Sequence, residues 1–121
     1  MLPRINRIKK KKDFETIFKK GRSFKNNLFV LRFINNHLDY NRVGIVVSQK
    51  VSKKATARNK VRRRLVEIVK TFEKTVQEKY NLSEKKKKGM DLVMIALPEI
   101  EKKEFTEIKE SLNGALLKIK F

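Results

Sequence analysis

Residues Lys53–Ile68 read "KKATARNKVRRRLVEI", and this stretch decides how the chain folds. Five of the seven residues from 58 to 64 are basic. Apolar residues recur from Val61 onward at spacings of four, three, four and four, and they are Val61, Leu65, Ile68, Phe72 and Val76. This period predicts a helix from about Thr56 to Lys79 with one apolar stripe. Because the stripe must be buried against another element, the rest of the fold is built around this helix.

Three segments on either side of the helix are predicted strands, because they are rich in β-branched and aromatic residues. They read "LFVLRFI" (28–34), "RVGIVVS" (42–48) and "DLVMIALP" (91–98). The polar "NNHLDYN" between the first two is interpreted as a turn or short loop. The long helix therefore connects the second of these strands to the third.

Two shorter helices complete the pattern. The first is "DFETIFKKG", in which Phe14, Ile17 and Phe18 share one face, Asp13 is a candidate N-cap and Gly21 follows the helix end. The second begins near Lys103, and its apolar face holds Phe105, Ile108, Leu112, Leu116 and Ile119. The order of elements predicts one domain, residues 1–121, with the fold of an α/β (α+β) sandwich around a single sheet.

The charge of the chain points to a polyanionic partner. The net charge is +19 over 121 residues. Residues 1–64 hold 20 Lys and Arg against 3 Asp and Glu, whereas residues 65–121 hold 12 against 10. Self-repulsion on this scale disfavours a compact monomer unless anions offset it. The first half of the chain is therefore the predicted binding half.

Several classes of protein are disfavoured. The chain has no cysteine, which excludes disulfide scaffolds and cysteine-ligated zinc. The apolar run Leu92–Leu97 is too short to span a bilayer, and the basic N-terminus is not followed by a signal-peptide core. We therefore expect a cytoplasmic protein with no membrane partner. Residues 1–12 are predicted to form a flexible basic arm, and the basic run 7–12 within it is either a disordered tail or an arm along an RNA backbone. The lysine run 85–88 is interpreted as a solvated loop.

The sequence contains no recognisable catalytic set. Its single histidine, His37, lies in the polar turn and is interpreted as a surface residue. Most carboxylates follow residue 65 and fall on the polar faces of predicted helices. Neither a glycine-rich phosphate loop nor a Ser–His–Asp set is present. Nothing therefore supports chemistry carried out by the protein itself.

The basic start of the long helix is the strongest candidate site. A helix N-terminus favours anions, and arginine pairs with two phosphate oxygens at once. The alternative is a solvated face paired with nearby acids, but Glu67 is the first acidic residue after Asp39. We therefore predict nucleic-acid contact here. The residues concerned are Arg58, Asn59, Lys60, Arg62, Arg63 and Arg64.

A second candidate site involves the first helix. Phe14 and Phe18 are either core residues or stacking residues for RNA bases. Arg32, in the predicted strand "LFVLRFI", keeps the second role open, since aromatic rings and arginine together hold single-stranded RNA without reading its sequence.

Four blocks in order carry a resemblance to a known family. They are "DFETIFKKGRS", "RVGIVVSQK", "ARNKVRRRLVE" and "GMDLVMIALP". With them the chain resembles the protein subunit of bacterial ribonuclease P, in which a catalytic RNA removes 5′ leaders from precursor tRNA. The resemblance implies a single mixed sheet of about four strands packed with three helices. It also implies a left-handed βαβ crossover through the signature helix, against the usual right-handed rule.

The resemblance also implies a function and its residues. The chain would be the non-catalytic protein component of this endoribonuclease, with ribonuclease P RNA and precursor tRNA as partners and no other protein required. Mg²⁺ would be bound mainly by the RNA. By position, the residues that would contact the RNA subunit are Arg58, Asn59, Lys60, Arg62, Arg63 and Arg64. Phe14, Phe18, Arg32 and Lys50 would line the cleft that holds the leader.

Two departures from the family pattern fall in this cleft. The family's Ser-Lys-Lys reads Ser48-Gln49-Lys50 here, and the position of Arg32 is often aromatic. Two rival functions remain: a ribosomal or ribosome-associated RNA-binding protein, and a nuclease active without RNA.

Overall fold

The computed structural model describes residues 7–80, 89–119 and 121, without the side chains of 76–80. The predicted helices and strands are all present, with ends shifted by a few residues. The structure adds a strand before "LFVLRFI" that the sequence does not predict, because its four residues "RSFK" are too few and too polar to show a pattern. In chain order the elements are α1 Lys11–Lys20, β1 Arg22–Lys25, β2 Phe29–Asn35, β3 Arg42–Val46, α2 Ala55–Tyr80, β4 Met90–Ala96, a 3₁₀ turn Pro98–Lys102 and α3 Phe105–Lys118.

The four strands form one mixed sheet in the order β1-β2-β4-β3. β2 pairs antiparallel with both β1 and β4, whereas β3 pairs parallel with β4. α2 joins these two parallel neighbours, so it is the crossover helix of a βαβ unit. The sandwich of a mixed sheet and three helices is confirmed.

The larger core lies between one face of the sheet and helices α2 and α3. Strand residues alternate, and Leu31 and Leu92 point into this core while their neighbours point away. The predicted stripe of α2 is confirmed for Val61, Leu65 and Ile68, which are buried, and for the half-buried Phe72. The side chain of Val76 lies outside the described part. Val66 and Val69 are buried as well, so the buried face of α2 is wider than the predicted stripe.

α1 covers part of the opposite face of the sheet. Its buried Ile17 packs with Ile8 and with Val93 of β4. Arg7 forms a parallel bridge with Val43 on the outer edge of β3, and Ile8 donates a backbone hydrogen bond to the same residue at 3.1 Å. Residues 7–12 of the predicted arm run from the edge of β3 into the first turn of α1. Residues 1–6 and the lysine run 85–88 lie outside the described residues.

The predicted N-cap of α1 is wrong. The helix begins at Lys11, with Lys10 at the cap position and no side-chain cap. Asp13 lies in the first turn, where its Oδ2 is 3.4 Å from Nη1 of Arg42. An ion pair with a remote strand residue thus replaces the local hydrogen bond that the sequence pattern predicts.

Gly21 follows α1 as predicted, but not because of a left-handed backbone. Its φ is −76°, which any residue adopts. A Cβ at this position would overlap the carbonyl oxygen of Ile17 and lie 2.9 Å from that of Phe33. Glycine is therefore required by the close passage of the chain from α1 into β1.

None of the helices in the described ranges is both long and apolar enough to cross a membrane.

Candidate nucleic-acid interface

The loop between β3 and α2 is fixed by a residue of the basic cluster. Nη1 of Arg58 donates to the carbonyl oxygens of Ser52 and Lys53, each at 3.0 Å. The backbone N–H of Arg58 also donates to the carbonyl oxygen of Lys54, at the start of α2. Arg58 is one of the predicted nucleic-acid contacts. In the structure, one end of its guanidinium is already hydrogen-bonded to the loop that leads into α2.

One face of α2 combines three of the six predicted residues. Asn59, Arg62 and Arg63 lie beside a cavity of about 650 Å³ between α2, the edge of β3 and the segment before α1, here called the α2–β3 cavity. Nη1 of Arg62 donates to Oδ1 of Asn59 at 2.6 Å. The exposed Lys60 and the half-buried Arg64 are not part of the cavity lining.

The α2–β3 cavity has a polar rim and an apolar floor. The rim comprises Arg7, Thr56, Asn59, Arg62 and Arg63. The floor comprises Ile8, Phe14, Val43, Gly44, Ile45 and Val66. Sequence reasoning missed Thr56, although the spacing 56, 59, 63, 66 marks one helix face. Arg7 belongs to the basic run 7–12, for which an arm along an RNA backbone is one interpretation, but its place in the cavity has no local signal because the bridge to β3 is a tertiary contact.

The basic cluster has no acidic partner among the described residues. The ion pairs among the described residues are those of Arg42 with Asp13 and with Asp91, and both lie on the other face of the sheet. The alternative of a charged face neutralised by neighbouring acids therefore finds no support in this part of the chain. Unpaired, partly exposed arginines are suited to an anionic partner.

The second candidate site lies where α1 rests on the sheet. The ring of Phe14 packs on Gly44, where an added Cβ would lie 3.0 Å from the ring atoms Cε1 and Cζ. Phe14 is half-buried, whereas Phe18 is 44% exposed. Phe14 is therefore largely a packing residue, and Phe18 presents an aromatic surface to solvent.

Arg32 joins the sheet to the last turn of α1. It lies on the α1 face of β2, and its Nη2 donates to the carbonyl oxygens of Phe18 and, at 3.5 Å, Ile17. Lys50 is exposed in the turn Ser48–Val51 after β3, on a separate element. The structure thus brings Arg32 to the backbone of Phe18, and it places Lys50 in the loop that follows β3.

A buried ion pair anchors the opposite end of α1. Asp91 is 5% exposed and accepts hydrogen bonds from Nε and Nη2 of Arg42, at 2.8 and 2.6 Å, and from Nδ2 of Asn36 at 2.8 Å. The hydrogen bond to Asp91 raises the pKa of Arg42, against the opposing effect of burial. Sequence reasoning missed this network, although an aspartate at the start of an apolar strand was a usable signal.

The single histidine, His37, is exposed, which confirms its interpretation as a surface residue of the turn. Its φ is 63°. Within the described ranges, no group of three His, Cys, Asp or Glu could hold a metal ion. Burial raises the pKa of Glu73 on α2, against the effect of the hydrogen bond that Nδ2 of Asn41 donates to it at 3.2 Å.

Comparisons with known proteins cover nearly the whole chain. The sequence model of the protein family described as Ribonuclease P matches residues 2–120. The ribonuclease P protein component of Alkaliphilus metalliredigens is 35% identical over 116 residues, which cover 95% of this chain and 94% of that protein. That of Clostridioides difficile is 38% identical over 111 residues, covering 92% and 89%.

Solved structures agree with the sequence relatives. The Staphylococcus aureus RNase P protein superposes with a TM-score of 0.75 at 34% identity, covering 94% of both chains. The Thermotoga maritima RNase P protein superposes with a TM-score of 0.69 at 36% identity, covering 91% of this chain and 94% of that one. The likeness in fold therefore extends over nine-tenths of this chain.

Proposed function

This chain belongs to the ribonuclease P protein family, and from that premise we propose that it binds the RNA subunit of ribonuclease P together with the 5′ leader of precursor tRNA. In this role it promotes removal of the leader by the ribonucleoprotein. The observation that carries the proposal is the basic face of α2, whose arginines have no acidic partner among the described residues. The solved relatives share its fold over nine-tenths of this chain.

The two candidate sites are assigned to two RNA surfaces. The α2 face with Asn59, Arg62 and Arg63 is assigned to the RNA subunit, because guanidinium groups neutralise phosphates and bind them bidentately. The face with Phe18 and Arg32 is assigned to the leader, because an exposed aromatic ring can stack on an unpaired base of any sequence. α1 and the sheet hold both sites in one domain, so leader and RNA subunit are held in a fixed relation.

The residues of this chain bind and orient RNA in the proposed mechanism. Their positive charge offsets the repulsion between the phosphates of leader and RNA subunit. Mg²⁺ held by the RNA would supply the activation of water for hydrolysis. The division of labour is consistent with the sequence, which offers no general acid or base set.

The test is cleavage of a 5′-extended precursor tRNA at low Mg²⁺. Three reactions are compared: the chain alone, the ribonuclease P RNA of the same source alone, and the two combined. We expect the combined reaction to cleave at the mature 5′ end. The RNA alone should do so far more slowly or not at all, and the chain alone should not do so. Cleavage by the chain alone would make it a nuclease in its own right. No enhancement, together with equally tight binding to ribosomal RNA, would favour a ribosome-associated role.

A further inference from the structure

The α2–β3 cavity has a shape that phosphate binding alone does not require. Phosphates of an RNA backbone can be held by arginines on a convex helix surface. Here Asn59, Arg62 and Arg63 instead border a hollow of about 650 Å³. Pockets for small organic ligands have volumes of about 300–1,000 Å³. The basic face of α2 therefore surrounds space for a compact chemical group.

The floor of this cavity is suited to a flat, apolar surface. It is built from the buried Val43 and Val66 and from Ile45, with Phe14 on Gly44. The absence of a Cβ at Gly44 is what lets the Phe14 ring lie against β3. Nucleobases are flat, and they gain free energy by stacking on aromatic and apolar side chains.

The rim of the cavity is suited to phosphate and to a base edge. Arg7, Arg62 and Arg63 supply three positive charges, and the lining contains no acidic residue. Nε of Arg7 is buried without a hydrogen-bond partner among the described residues, although buried donors normally find an acceptor. Oδ1 of Asn59 accepts a hydrogen bond from Arg62, and this bond orients the amide of Asn59. The two N–H donors of that amide are left for a ligand.

We propose that the α2–β3 cavity takes one unstacked nucleotide of the ribonuclease P RNA. Its base lies on the apolar floor, and its flanking phosphates are held by Arg62 and Arg63. The amide of Asn59 donates to an acceptor on the edge of the base. This inference rests on the proposed function and adds to it a nucleotide-sized contact, so that the basic face recognises an unpaired base as well as backbone charge.

The first test follows the methyl groups of the cavity by NMR in the full chain. Methyl signals of Ile8, Ile45 and Val66 are recorded with ribonuclease P RNA and with inorganic polyphosphate, a polyanion without bases. We expect the RNA to shift these signals and the polyphosphate to leave them near their free positions. The exposed Leu117 on α3 serves as a reference that neither ligand shifts. Cavity methyls that respond no more to RNA than to polyphosphate would overturn the proposal.

The second test fills the cavity without changing charge. Val66→Met extends a side chain into the space, and Leu117→Met is the matched control. We expect Val66→Met to weaken binding of the RNA subunit at least about fivefold, as for the loss of one stacked base. The slope of log affinity against log salt concentration should stay unchanged, because no phosphate contact is removed.

Outcomes of the two tests separate this inference from the proposed function. A folded Val66→Met chain with full affinity would contradict the inference. If that variant unfolds, the methyl titration of the unmodified chain decides. If the unmodified chain does not prefer ribonuclease P RNA over an unrelated structured RNA, the proposed function fails, whatever the cavity holds.

Discussion

Phe18 remains 44% exposed although it follows the buried Ile17 directly on α1. Its backbone is held by Arg32, which donates to its carbonyl oxygen, so the ring projects from a fixed point. We expect Phe18→Ala to weaken binding of leader-bearing precursor tRNA to the assembled enzyme by about 1–3 kcal/mol, the range for one stacked base. Filter binding with precursor and mature tRNA measures this effect.

Mature tRNA should bind the Phe18→Ala enzyme as it binds the unmodified one. Leu117→Ala, which removes an even more exposed apolar side chain on α3, is the control and should affect neither RNA. An equal loss for precursor and mature tRNA would contradict the assignment of this surface to the leader.

Glu73 should give the chain a pH-dependent stability. Because burial raises its pKa in the folded state, the folded chain binds more protons than the unfolded one between the ordinary pKa and the raised one. The contribution of Glu73 to the free energy of unfolding therefore falls as the pH rises through this window. Glu73→Gln should raise stability at pH 7 and remove that part of the pH dependence.

Urea denaturation of both chains at a series of pH values from 4 to 8 measures the Glu73 effect. Glu67→Gln, on the exposed side of α2, is the control and should leave the profile unchanged. A profile that is identical in the unmodified and Glu73→Gln chains would show that burial does not penalise this carboxylate.

At the scale of elements, α1 is held on the sheet at both ends. Arg42, paired with the buried Asp91, reaches Asp13 in the first turn, and Arg32 holds the carbonyl oxygens of the last turn. Ile17 packs between these two anchors. The position of the exposed Phe18 ring is thus set by polar contacts at the helix ends as well as by apolar packing.

We expect Asp91 and Asp13 to contribute very different amounts to the free energy of unfolding. Asp91→Asn removes one partner of a buried pair and should lower the free energy of unfolding by roughly 3 kcal/mol. Asp13→Asn removes a more exposed partner at 3.4 Å and should cost less than about 1 kcal/mol. Urea denaturation of both variants at low salt measures the difference. Equal losses would show that the pair with Asp91 is not the anchor.

At the scale of the whole molecule, binding should be dominated by charge. If this chain of net charge +19 contacts six to ten phosphates, its affinity for the RNA subunit should fall by about 10³–10⁵ between 50 and 200 mM salt. The double substitution Arg62→Ala/Arg63→Ala should weaken binding and lower the salt slope by roughly 2. Its fold should remain, because Arg63 is exposed and Arg62 lies outside the core.

The matched control is Lys74→Ala/Lys102→Ala, which removes the same charge from exposed positions away from the cavity. Affinity titrations over a series of salt concentrations, with circular dichroism for folding, compare the three chains. An affinity that hardly depends on salt, or an unfolded arginine variant, would contradict the assignment of these residues to a phosphate-binding surface.

Local sequence patterns predict most of the helices and strands, the fold class and the location of the basic cluster, but not the short polar strand β1. Apolar spacing marked α2 and α3, and β-branched runs marked β2, β3 and β4, because both periods are local properties of the chain. The basic cluster before Glu67 is equally local. Together with the ordered motifs they were sufficient to identify the family.

Only the tertiary structure decided how these parts combine into sites. Asp13 pairs with Arg42 rather than capping its own helix, and Phe14 packs on Gly44. Arg7 completes a cavity whose other rim residues lie on α2. Each contact joins segments that are distant in sequence, and the pairing of β3 with β4 brings several of them together. Neither periodicity nor composition encodes which remote side chain will satisfy a given donor or fill a given space, because that depends on the order and register of the strands.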